Sequence, residues 1–226
     1  MVMAIWDALV EDYGNQSYSR MDWLLGYSTV EKLLGIVAGK RVLDYGCGPG
    51  KFSRTLSDLG ALVTGVDISE KALEIASSKS HSSYYCLVDD LSGYFDYAVA
   101  AFVLCTIPEK QDFERVIQTI YDHLLPNGSF IVLEPHPDSG GYDFTGMKRE
   151  KPAKLISGMP IKVELSGMNS FFYDFWHSKN DYTSALERAG FRIDVIVEQP
   201  GVGDSWKDER KQPPHLIIKA MKAINI

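Results

Sequence analysis

The stretch Val42-Leu43-Asp44-Tyr45-Gly46-Cys47-Gly48-Pro49-Gly50 decides how this chain is read. Two apolar residues run into an acid, glycine then recurs at every second position, and Lys51-Phe52-Ser53 opens a helical stretch. That order describes a buried strand breaking into a tight turn against a helix N-terminus. Glycine permits φ > 0 and lets the backbone approach a ligand where a Cβ would collide. The first amides of the helix then face a crevice suited to a nucleotide-like ligand.

Spacing narrows the ligand. In the dinucleotide fingerprint G-x-G-x-x-G, Gly46 and Gly48 fit the first two positions, but the third falls on Lys51. The run instead reads D-x-G-x-G-x-G, from Asp44 to Gly50. A second acid, Asp67, ends Leu62-Val63-Thr64-Gly65-Val66-Asp67, 21 residues after Gly46. At that distance in a βαβ unit a strand-end carboxylate reaches ribose hydroxyls.

The 226 residues suit one domain with small additions. Hydrophobic residues make up 45% and charged residues 23%, enough for a sizeable core. A net charge of −7 lacks the basic footprint of a nucleic-acid binder, so no such partner is expected. The one basic cluster, Lys148, Arg149, Lys151 and Lys154, reads as a solvated loop. Cys47, Cys86 and Cys105 have no metal or redox spacing and read as small apolar residues in or beside strands. No run of about 18 apolar residues predicts a membrane span. The acidic N-terminus (Asp7, Glu11, Asp12) does not read as a signal peptide, so a reduced, cytoplasmic setting is expected.

Along the chain, residues 1–38 form an expected helical cap. Ala4, Ile5, Ala8 and Leu9 recur at helical spacing, as do Leu24, Tyr27, Val30, Leu33, Leu34 and Val37, interrupted by Gly26. Strands are then expected at 41–45, 62–67, 83–88, 95–101 and 129–134, with helices at 51–58, 70–78 and 110–125. Such alternation predicts an α/β fold: a doubly wound, largely parallel sheet covered by helices on both faces. Pro126-Asn127-Gly128 is the expected stop of the 110–125 helix. Between 135 and 180 the pattern dissolves, and the segment reads as a lid or a set of short added strands over the crevice. A helix at 181–189, capped near Asn180, and strands at 191–198 and 215–220 complete the chain. The 200–214 connection is expected to be a mobile loop.

Ligands of such sheets sit beyond the carboxyl ends of the strands. These ends collect Asp44 to Gly50, Asp67-Ile68, Asp89-Asp90-Leu91, Ala100-Ala101-Phe102 and Glu134-Pro135-His136.

With these residues in place the chain resembles the class I S-adenosylmethionine (SAM) dependent methyltransferases, of the type acting on small molecules. The glycine loop and Asp67 resemble that family's first motif and its acidic follower. Ala101-Phe102-Val103-Leu104 is similar to its fourth-strand motif, and Leu125-Pro126-Asn127-Gly128 to the turn before its fifth strand. Trp176-His177 to Phe191 and Pro213 to Ala220 resemble its C-terminal part. The resemblance implies a Rossmann-like sheet of order 3-2-1-4-5-7-6 with strand 7 antiparallel. It implies SAM as cofactor, held by Asp44, Gly46, Gly48 and Gly50. Asp67 would take both ribose hydroxyls and Asp89 or Asp90 the adenine amine, with Ile68 and Leu91 on either side of the ring. Ala101 and Phe102 would face the sulfonium.

Methyl transfer from a sulfonium needs positioning and exclusion of water more than chemistry from the protein. A base is required only when the acceptor must lose a proton, and His136 and His177 are the candidates. The aromatic run 171–176 is either an acceptor pocket or the core of the added strands. Tyr13, Tyr18, Trp23 and Tyr27 either cover the cofactor or pack on the sheet. The leading reading is methyl transfer to an O or N atom of a small-molecule acceptor. Methylation of a peptide or protein carboxylate and a non-catalytic SAM-binding module remain open alternatives. An NAD(P) oxidoreductase is disfavoured by Lys51.

Overall fold

A computed structural model describes Val10 and residues 18–79, 82–167 and 171–223. The expected helix over residues 4–9, Tyr13 and His81 lie outside the described residues. Among the described residues the strands are β1 (Arg41–Tyr45), β2 (Leu62–Asp67), β3 (Tyr84–Leu87), β4 (Phe95–Ala101), β5 (Leu124–Pro135), β6 (Met147–Arg149), β7 (Met159–Leu165), β8 (Phe171–Trp176), β9 (Phe191–Val197) and β10 (His215–Lys222). The α-helices are α1 (Ser28–Leu34), α2 (Lys51–Asp58), α3 (Glu70–Lys79), α4 (Lys110–His123) and α5 (Lys179–Arg188).

Seven strands form one sheet of order β3-β2-β1-β4-β5-β10-β9. β10 runs antiparallel to both neighbours, while β1 to β5 pair in parallel. With β6 to β8 set aside, this is the order 3-2-1-4-5-7-6. Strand alternation sends successive side chains to opposite faces. Leu43, Ala98, Ala100, Phe130 and Val132 therefore pack with Phe113, Ile117 and Ile120 of α4 and Tyr182 and Leu186 of α5. Val42, Val99, Ile131 and Leu133 pack with Val30 and Leu34 of α1 and Phe52 and Leu56 of α2 on the other face. All three cysteines are buried and free.

Several boundaries differ from the sequence expectation, each because tertiary pairing overrides local pattern. α4 ends at His123, and Leu124 leaves the helix to pair with Phe95 of β4. Asn127 then takes a left-handed turn (φ 62°) within the irregular start of β5. Gly26 does not interrupt a helix but lies in a π-helical turn, Asp22–Tyr27. A Cβ there would come within 3.3 Å of Leu133, so close packing accounts for the glycine. α5 starts at Lys179 on a capping box: the Ser178 hydroxyl accepts from the Asp181 amide and Asp181 accepts from the Ser178 amide.

The 135–180 region contains β6, β7 and β8, an antiparallel sheet of order β6-β7-β8. Arg149, expected in a solvated loop, is buried within it. Nor is 200–214 a loose connection. Trp206 is buried and Glu209 fully so, accepting from the backbone amides of Thr145 and Lys207.

Candidate active site

The β1–α2 turn is built from three left-handed glycines, Gly46 (φ 72°), Gly48 (φ 51°) and Gly50 (φ 72°). A Cβ on Gly46 would lie 2.4 Å from Val103 Cγ2, so the loop seats against the end of β4 only with glycine there. A Cβ on Gly48 would meet nothing within 4 Å. That face of the loop is open. The Gly46 and Cys47 amides donate to the Val66 carbonyl, tying the loop to β2.

Asp44 lies beneath this loop, and its Oδ2 accepts a 2.5 Å hydrogen bond from Ser53 of α2. Burial raises its carboxyl to about 6, against the Ser53 hydrogen bond that lowers it. Asp67 accepts from the Gly48 amide through Oδ2 and from the Ser69 amide through Oδ1. This strand-end acid therefore fixes the glycine loop.

At the end of β4, Phe102 adopts φ 58°, a conformation non-glycine residues seldom take. The turn after it is held from below by Glu134 of β5. One carboxylate oxygen accepts from the Val103 and Leu104 amides, the other from the Cys105 amide. Glu134 is fully buried, and burial pushes its carboxyl up to about 7. The sequence reading placed Glu134 only at a strand end. Its place opposite the Phe102 turn depends on β4–β5 register, which no local pattern shows.

These elements enclose a cavity of about 270 Å³. One part is lined by Asp44, Gly46, Gly48, Asp67, Ile68, Val88, Ala101 and Phe102. The rest is lined by Pro135, by Met147, Val163, Leu165, Phe172 and Asp174 of the small sheet, and by Cys105 to Ile107. Tyr27 also lines it, within an aromatic cluster that joins Tyr18, Trp23, Phe52 and Phe102.

Not every predicted residue reaches this space. Gly50 shapes the turn but is not on the wall, and Leu91 is replaced there by Val88. Asp89 and Asp90 are exposed on a short 3-10 turn, Val88–Asp90, and neither lines the cavity. Both candidate bases are turned elsewhere. His177 Nε2 donates to the Ile107 carbonyl, Nδ1 meets the Ser157 hydroxyl, and burial lowers its pKa. His136 Nδ1 accepts from the Asp138 amide while Nε2 meets Glu198 at 2.7 Å. Missing from the sequence reading were Asp22, Val88, Met147, Val163 and Leu165, while Phe172 and Asp174 fall in the run 171–176 offered there as an acceptor pocket. Asp174 had a readable signal: β8 alternates, and an acid shares the inward face with Phe172.

The fold and cavity define a Rossmann-like transferase scaffold, and the comparisons agree. A family model described as a methyltransferase domain matches residues 27–195; the chain belongs to this family. It is a SAM-dependent methyltransferase, with SAM as cofactor. The N-demethylindolmycin N-methyltransferase of Streptomyces griseus is 29% identical over 205 residues, 83% of this chain and 86% of that one. A demethylmenaquinone methyltransferase of Tropheryma whipplei is 29% identical over 196 residues, 78% and 80% of the two chains. In fold, the chain is similar to the CcbJ methyltransferase of Streptomyces caelestis (TM-score 0.71, 15% identity, 99% of each chain). It is also similar to a SAM-dependent methyltransferase of Mesorhizobium loti (TM-score 0.66, 22% identity, 89% of this chain and 99% of that one). Among the described residues, no helix is long and apolar enough to cross a membrane.

Proposed function

We propose that this protein methylates an O or N atom of a small molecule seated beneath the β6–β8 sheet. The observation that carries this reading is the two-part cavity. Part of its lining comes from the glycine loop and strand ends, and part from the added sheet, where every lining residue but Asp174 is apolar. The two relatives named above are, by name, methyltransferases of small molecules.

The residues present fit SAM. The open face of Gly48 leaves room beside the loop for the methionyl part. Asp67 stands on the cavity wall at the end of β2, where it would meet the ribose. Ile68 is 56% exposed on the cavity wall, an apolar surface that a flat ring would cover. Val88 would face that ring from the other side. Phe102 and the turn held by Glu134 would border the sulfonium. Bound SAM supplies an activated methyl group. The chain's own contribution is to align the acceptor and exclude water, which the roof formed by the small sheet provides.

Titration calorimetry and thermal shift with SAM and S-adenosylhomocysteine test the cofactor half. A ligand at 100 times its Kd is expected to add about 2.7 kcal/mol of stability. Asp67→Ala is expected to abolish most of that shift; a full shift in the variant would remove Asp67 from the site. Incubation with methyl-labelled SAM and a fractionated cell extract tests the acceptor half. Label is expected in the small-molecule fraction, and label confined to macromolecules would refute it.

A further inference from the structure

Two buried acids stand side by side at the end of β4, in different situations. Glu134 is saturated by three backbone amides. Asp174 is not. Its side chain is 5% exposed, yet it lines the cavity. Among the described residues, its carboxylate faces Arg149 Nη2 at 3.7 Å, and Cys105 lines the same cavity. A 3.7 Å separation is an ion pair without a hydrogen bond, so it orients the group without using up its lone pairs.

Arg149 is itself held in place. Its Nη1 donates to Ser139 Oγ at 3.0 Å and to the His136 carbonyl at 3.3 Å. Arg149 thus acts as a positioning residue behind Asp174. A buried ion pair of this kind contributes little to stability compared with apolar packing. Its neighbours on the small sheet that line the cavity, Met147, Val163, Leu165 and Phe172, are all apolar. The other carboxylates of the lining have different attachments. Asp44 and Asp67 serve the glycine loop, and Asp22 binds Ser19 and His215. Among the described residues, Asp174 alone brings a carboxylate to the cavity from the small sheet. Its strand, β8, packs on the Leu104–Thr106 turn that follows Phe102, and Asp174 and Phe102 line one cavity, which sets the carboxylate toward the methyl end of the cofactor on the reading given above.

We propose that the acceptor is an amine on an apolar body, its ammonium N–H held against the Asp174 carboxylate, which takes the proton whose loss frees the nitrogen for methylation. The inference rests on the transferase reading and adds the class of substrate. In the step, the ammonium first gives a proton to Asp174, and the freed nitrogen lone pair then forms the new C–N bond as the methyl C–S bond breaks, so the product leaves as the methylated ammonium. The electron pair of the C–S bond stays on sulfur, leaving S-adenosylhomocysteine as product. The proton taken by Asp174 passes from there to water. Burial holds the Asp174 carboxyl up at about 6, with Arg149 pulling it down, so it is mostly ionised at neutral pH.

The test uses the full chain loaded with S-adenosylhomocysteine. It is titrated calorimetrically with arylalkyl primary and secondary amines, matched alcohols and matched carboxylic acids. Amines are expected to bind at least about tenfold more tightly than either matched set, a difference of about 1.4 kcal/mol. With labelled SAM, amines are expected to take up methyl. Asp174→Asn is expected to lose that preference and about 10²-fold in kcat, with S-adenosylhomocysteine affinity unchanged. Asp174→Glu is expected to restore part of both. Preferential binding of the acids or alcohols overturns the proposal. So does an Asn variant that keeps amine binding and turnover, or a loaded protein that binds no amine. Each of these leaves the transferase reading standing. Failure of the wild-type protein to bind S-adenosylhomocysteine removes both. Should the Asn variant not fold, the wild-type preference among the three sets decides.

Discussion

Gly46 shows how one position couples backbone conformation to the site. Its φ of 72° and the 2.4 Å approach to Val103 that a Cβ would make both exclude a side chain. Gly46→Ala is expected to lower the unfolding free energy by about 2 kcal/mol, from left-handed strain and overpacking together. Urea denaturation measures this, and an unchanged midpoint would mean the loop does not seat against β4. The two histidines make the opposite case. Histidine chemistry drew attention to His136 and His177, but their ring nitrogens are engaged with Asp138, Glu198, Ile107 and Ser157. His177→Ala is accordingly expected to lower the thermal midpoint while leaving kcat near the wild-type value. A collapse of kcat with cofactor affinity intact would return His177 to the chemistry.

At the scale of elements, the Phe102 turn depends on a carboxylate from the neighbouring strand. Glu134→Gln leaves one acceptor oxygen where two serve three amides. The expected cost is about 1–3 kcal/mol, with faster hydrogen exchange at Val103, Leu104 and Cys105. Unaltered protection at those amides would show that the turn holds itself. Elements with a strong local signature were legible in the sequence. β1 and its glycine turn, α2 and the stripe of α4 lie within a residue or two of expectation. Asn127 takes the left-handed turn its residue type suggested. Less legible were elements defined by distant partners. β6, β7 and β8 lie between glycine-rich turns with no helix alternating between them, and they exist through pairing with one another. Leu124 belongs to β5 because Phe95 is there to receive it. Residues 200–214 have a loop's composition, yet Glu209 bonds Thr145 and Trp206 packs with Met21, Leu25, Phe144 and Met147, all distant in the chain. For the cavity, the strand-end half was readable from motifs. The roof half needed the fold of β8, although the single acid in its apolar alternation was a clue.

Across the whole molecule, the buried acids set the response to pH. Burial raises Asp44 to about 6, Glu134 to about 7 and Asp174 to about 6, from ordinary values of 3.8, 4.5 and 3.8. Between about pH 4 and 7 the folded protein therefore holds protons that the unfolded chain has released, and stability falls as pH rises through this window. His177, lowered by burial, opposes this as pH drops below 6.5. Lys51, lowered by burial to about 8, opposes the acids only near pH 7.5 and above, so the thermal midpoint should rise from about pH 7 to about 5.5. Glu134→Gln and Asp174→Asn should each flatten the slope. A midpoint that falls steadily on acidification would contradict the burial of these groups.

Glu209 joins parts of the chain that would otherwise move separately. It takes the Thr145 amide just before β6 and the Lys207 amide in the β9–β10 connection, and Gly201 donates to its own carbonyl. The roof and that connection are thus riveted together. Any swing that admits an acceptor or lets product escape has to carry the 201–211 segment with it. The roof of the cavity is therefore tied to a stretch of chain that does not line it, so loosening the 201–211 segment is expected to be felt at the acceptor end.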